Sequence, residues 1–140
     1  MTQRQALRLS IAHWSRMIAL VKRAIAAQWD SFKLSDRPNA NIILEALGET
    51  WYGKYCALCA YAARQPGAEW GAIHCPTCSL ATQLDDCCNM SGSTWDQVVK
   101  AQTWDEWLVA AQKMRAQVKQ LQQPSKRAIV KVPSCDKHDR

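Results

Sequence analysis

The sequence predicts a mainly α-helical fold in which long N- and C-terminal helices pack together around a zinc-knuckle or zinc-ribbon-like insertion. Three observations predict it. Apolar residues recur at helical spacing through the first 33 residues and again over 104–122. Each of these stretches opens on a helix-capping signature. Two C-x2-C pairs stand between them, at the spacing of a metal site.

The first helix is expected over residues 3–33. Thr2 and Gln5 form a capping box, and Leu7, Ile11, Trp14, Ile18, Val21, Ile25 and Phe32 then follow on one face. Arg8, Arg16, Lys22 and Arg23 fall on the flank away from that seam. The run Ser35-Asp-Arg-Pro-Asn39 ends the helix, because the residue before a proline avoids the α region. A short helical segment over 42–47 closes on Gly48.

Residues 49–92 form the expected metal module, with Pro66-Gly67 and Ser91-Gly92 as loop punctuation. Thr94-Trp95-Asp96 and Thr103-Trp104-Asp105 are near-repeats, and each reads as a helix start. They open helices expected over 95–101 and 104–122, the latter with Trp104, Leu108, Ala111, Met114, Val118 and Leu121 on one face. Pro124 stops it. Residues 1–124 are therefore read as one domain, and 125–140 as a basic, flexible tail. Within the tail, the apolar segment Ala128–Val132 either adds a strand or stays mobile.

The chain has 140 residues and 48% apolar composition, enough for one domain with a core. No apolar run approaches the ~20 residues of a membrane span. The first residues lack a hydrophobic stretch and a cleavage-like site, so no signal peptide is expected and a cytoplasmic setting is. In a reducing compartment the seven cysteines read as metal ligands or free thiols. The net charge of +6 is uneven: residues 1–38 and 99–140 are basic, and 39–98 carry six acids against two Lys/Arg.

Cys56-Ala-Leu-Cys59 and Cys75-Pro-Thr-Cys78 are separated by fifteen residues. Two residues between thiolates let each pair form a tight knuckle, and two knuckles complete a tetrahedron at ~2.3 Å from one zinc ion. Such a closed site leaves no position for water or substrate, so it holds structure. Cys87, Cys88 and His74 are the alternatives for one of the four ligands, and Cys135 with His138 repeats the two-residue spacing in the tail.

Catalysis finds no motif. There is no nucleotide-binding glycine loop, no H-E-x-x-H, no nucleophile elbow and no H-x-E ahead of a P-C-x-x-C. His13 on the first helix reads as packed or superficial. Nucleic-acid binding fits the basic balance, the metal module and the aromatics, with Arg8, Arg16, Lys22 and Arg23 as candidate phosphate or partner contacts; a solvated helix face accounts for them equally. Of the tryptophans, Trp14, Trp29, Trp104 and Trp107 are expected between the long helices, and Trp51, Trp70 and Trp95 over the metal module.

Ser10-Ile-Ala-His-Trp14, the two cysteine pairs, Ser79-Leu80 after the second pair, a later cysteine and Ala110-Ala-Gln-Lys-Met114 lie in one order. In this layout the chain resembles small two-CxxC accessory proteins of tailed phages and prophages, over most of residues 7–121. It differs from them in Pro76 inside the second knuckle and in the paired Cys87-Cys88. The resemblance implies action in a bacterial host cell and supplies no catalytic residue. The expectation is a non-enzymatic, zinc-stabilised binding protein that inhibits a host antiviral component. A nucleic-acid-binding zinc protein and a sponge for a signal nucleotide are the alternatives.

Overall fold

A computed structural model describes residues 1–65, 78–84, 86, 88 and 90–123. Among the described residues six helices occur in order: α1 (Gln3–Ala26), α2 (Ala40–Leu47), α3 (Ala57–Ala62), α4 (Ser79–Leu84), α5 (Thr94–Lys100) and α6 (Trp104–Gln122). A 3-10 turn, Gly53–Tyr55, precedes α3. No strand occurs among the described residues. No helix among them is long and apolar enough to cross a membrane. The expected tail, Trp70, His74, Cys75 and Cys87 lie outside the described residues.

The long helices α1 and α6 pack against each other, as expected, and run antiparallel. Arg115 Nη1 donates to Ser15 Oγ at 3.3 Å midway along the pair. Beyond the far end of α1, Trp104 Nε1 at the start of α6 donates to the Ser31 carbonyl at 2.6 Å. α1 is the central element, touching α2, α3 and α6, and this explains a buried surface wider than the predicted seam. Leu7, Trp14, Ile18 and Val21 are buried as expected, and Ala6, Ser10, His13, Met17, Leu20 and Ala24 form a second buried stripe beside them. A single heptad seam serves one neighbour; a helix with three neighbours needs more of its circumference apolar or small.

The aromatic core sits where α6 begins. Trp104 stacks on Phe32 with centroids 5.0 Å apart, and Trp51 and Trp107 meet its edge and each other. Each such ring removes ~150–250 Å² from water, about 4–6 kcal/mol by area and an upper figure because the unfolded chain already hides part of it. Trp51 thus belongs to the α1–α6 core rather than to the metal module. Trp95 is half-buried beside it and donates from Nε1 to the Trp51 carbonyl at 2.9 Å. Trp29 stays exposed, with Arg23 held over its ring at 5.6 Å.

α1 ends at Ala26, seven residues before the expected boundary. Trp29 N–H reaches back to the Ala24 carbonyl and Gln28 N–H to Ile25, the paired bonds of a Schellman closure. Gln28 takes the left-handed conformation that this closure demands (φ 58°), and Ser31 follows at φ 69°. Glycine usually fills such a position, and its absence hid the stop. The reversal has a structural consequence. It carries Phe32 back onto Trp104 and brings the Asp36 and Leu34 carbonyls to the backbone N–H groups of Trp104 and Asp105, at 3.0 and 3.2 Å. Those are two of the four donors that the start of α6 leaves open. Thr103 Oγ1 accepts a third, from Glu106, and the Thr103 carbonyl takes the first bond within the helix, from Trp107.

The remaining boundaries follow their capping residues. Asn39 caps α2 and Gly48 closes it at φ 72°. α5 starts one residue earlier than expected, because Ser93 rather than Thr94 is the cap, its hydroxyl accepting from Asp96 N–H at 3.1 Å. Asp86 Oδ1 takes the Thr94 N–H at 3.0 Å and so fastens the end of the cysteine-rich segment to α5.

Candidate metal centre

Cys56 is the N-cap of α3 and Cys59 lies in its first turn. The pair therefore sits on one tight bend between the 3-10 turn and the helix. Gly53 carbonyl accepts the Cys56 N–H at 3.0 Å, and the Cys56 carbonyl accepts from Ala60 at 3.2 Å. Leu58, between the two cysteines, is buried in the common core, as is Ala62 one turn on, and α3 packs against α1. The Cys56–Cys59 turn is thus anchored by the residues between and after its thiols.

Cys78 comes from the other pair. It is buried just ahead of α4, whose Leu80 enters the same core. Gln3 Nε2 donates to Ser79 Oγ at 2.6 Å and ties this segment to the start of α1. Cys88 is half-buried against the core, and its carbonyl accepts from Ser93 Oγ at 3.1 Å.

Cys56 and Cys59 are joined by a hydrogen bond between their thiols. The hydrogen bond from Cys59 lowers the Cys56 pKa to about 7, helped by the Leu58 and Cys59 backbone amides and opposed by burial. The Cys59 pKa is raised, first by that hydrogen bond, then by burial, then by the charges of Cys56, Cys78 and Cys88. The Cys59 thiol is thus held protonated chiefly by its hydrogen bond to Cys56 and by burial. The side chains are adjacent without converging: among the described residues no three of His, Cys, Asp or Glu are drawn into a ligand set. Of the predicted ligands, Cys56 and Cys59 share a hydrogen bond, Cys78 is buried in the core beside α4, and Cys75 lies outside the described residues. Of the alternative ligands, Cys88 lies close enough to act electrostatically on Cys59, and Cys87 and His74 lie outside the described residues.

The predicted basic quartet divides. Arg16 grips Glu49 with both arms of its fork, Nε to Oε1 at 2.8 Å and Nη2 to Oε2 at 3.0 Å. Arg23 covers Trp29. Lys22 is exposed, and Arg8 lines a hollow between the start of α1 and the end of α6.

Sequence reasoning missed Glu49 altogether. Besides Arg16, its carboxylate meets Nδ1 of the buried His13 at 3.1 Å. Burial lowers the His13 pKa, against the raising effect of Glu49. For Glu49, burial raises the pKa, but the hydrogen bonds from Arg16 and His13 prevail and hold it below the usual value. Residues 36 positions apart in sequence leave no local signal of this pairing.

The chain matches no protein family, no curated protein and no solved structure. Functional assignment therefore rests on residues and geometry.

Proposed function

We propose that the chain is a non-enzymatic binding protein whose cysteine module is stapled by one structural zinc on Cys56, Cys59, Cys75 and Cys78. The zinc-knuckle insertion supplies folding energy, and the helical body presents the binding surface. What supports this reading is the C-x2-C-x15-C-x2-C spacing, with Cys78 buried in the core and Cys56 packed against it. The buried His13–Glu49 pair supports the non-catalytic part. His13 is 4% exposed and Glu49 is already clamped by Arg16, so the pair serves as a tie between α1 and the segment after α2. The partner proposed is a protein of a bacterial host, in keeping with the resemblance to phage accessory factors that inhibit an antiviral component.

The test is isolation of a stoichiometric complex from bacterial lysate with the full chain as bait, followed by reassembly from purified components. Reassembly with one host protein upholds the reading. A chain that stays alone at every step defeats it.

A further inference from the structure

Two adjoining hollows, each about 530 Å³, lie where the start of α1 meets the end of α6, and they share Arg8, Gln122 and Gln123. Arg4, Arg8 and Lys119 supply their charge, and none of the described side chains that line them is acidic. Leu7, Ile11 and Leu121 form the apolar part of the wall. Gln3 and Gln83 add amides on the side facing α4.

From Gln3 to Ile11 the groove follows α1 for about 12 Å at 1.5 Å per residue. Arg4 and Arg8 are four residues apart, hence one above the other with ~5–6 Å between their Cβ atoms. Each guanidinium fork matches one phosphate bidentately, so the pair suits two successive phosphates better than a single carboxylate. The helix ends do not decide the sign. The positive end of the α1 dipole and the negative end of the α6 dipole meet here and offset each other. What remains is three cations with no carboxylate among them.

Arg16 and Arg23 are engaged with Glu49 and Trp29, so the cationic flank of α1 is quieted in its middle and left strong at its start. The glutamine amides supply donors and acceptors together, as the edge of a base requires, whereas inorganic phosphate would need donors alone. We infer that this groove binds a nucleotide-class ligand through at least two phosphate groups, either a free polyphosphate nucleotide or a short stretch of single-stranded nucleic acid. The inference does not depend on the zinc or on the protein partner proposed above.

The experiment measures binding of three probes to the full chain: a nucleoside triphosphate, a fluorescent oligothymidylate, and inorganic phosphate. It compares wild type with R4Q/R8Q/K119Q and with a control, K22Q/K113Q, which removes exposed charge elsewhere on the same two helices. All five positions are exposed, so circular dichroism and thermal melting should be unchanged. The expected result is binding of a nucleotide-class probe, weakened at least ~10-fold by the groove variant and less than ~2-fold by the control, with inorganic phosphate far weaker. If the oligonucleotide is the stronger probe, its salt slope should flatten by about two units in the groove variant, near 0.7 for each phosphate that is no longer neutralised. If the triphosphate is stronger, the ligand is a free nucleotide. Equal weakening in both variants, or binding of neither nucleotide probe by wild type, overturns the inference.

Discussion

His13 Nδ1 lies 3.1 Å from Glu49 Oε1, inside a helical core that leaves the histidine almost no solvent. An ionised carboxylate accepts hydrogen bonds and donates none, so Nδ1 carries the proton. Burial holds the ring neutral beyond that bond, and Arg16 supplies the positive charge that Glu49 requires. Glu49 is therefore oriented by one neutral and one cationic donor.

Acid should loosen this arrangement in two steps. The folded-state pKa of His13 is depressed, so the unfolded chain binds the extra proton first. The stability that His13 contributes is complete above its ordinary value of 6.5 and is lost as the pH falls from there toward the lower folded value. Glu49 is depressed as well, and its contribution is lost below the ordinary value of 4.5. The melting temperature should fall from pH 7 to pH 5 in wild type and fall less steeply in His13→Gln. Parallel pH profiles would exclude the titration of His13 as the cause.

Metal removal should unfold the cysteine module. We expect about one zinc per chain, and loss of both metal and cooperative melting in Cys56→Ser and Cys78→Ser, because metal-binding energy is also folding energy. Elemental analysis of protein purified without chelator checks it. Metal-free protein that melts cooperatively would disprove it.

Cys88→Ala should keep its zinc, since the two knuckles already supply four thiolates. Its neighbourhood to Cys59 makes this a sharp comparison with Cys75→Ala, which should lose the metal. Zinc content of the two variants side by side decides between Cys75 and Cys88 as the fourth ligand, and the reverse pattern would give Cys88 the place.

The two core tryptophans should respond differently to phenylalanine. Trp104 donates to the Ser31 carbonyl, so Trp104→Phe forfeits a hydrogen bond, costing about 0.5–1.5 kcal/mol besides the reduced packing. Trp107 Nε1 has no partner among the described residues, so Trp107→Phe carries no such polar cost. Urea unfolding should rank Trp104→Phe as the less stable. Val109→Ser, 65% exposed, should stay within about 0.5 kcal/mol of wild type.

The helices were legible in sequence wherever the signal is local. Thr2, Thr103 and Gly48 cap or close their helices through bonds spanning a few residues, and the apolar spacing of α6 places Trp104, Met114 and Val118 inward without any knowledge of the neighbour. The same locality makes C-x2-C readable, since two residues between thiols define a knuckle whatever surrounds it. Tertiary structure decided what depends on meeting across the chain. It set the stop of α1 at Ala26, where Gln28 accepts a left-handed backbone because the reversal lets Phe32 reach Trp104 and lets Leu34 and Asp36 cap α6. It paired Glu49 with His13 and Arg16, and brought Arg4 and Arg8 to Lys119. Periodicity encodes which face of a helix is buried; which residues then face one another depends on how the helices are docked, and that is a property of the whole core.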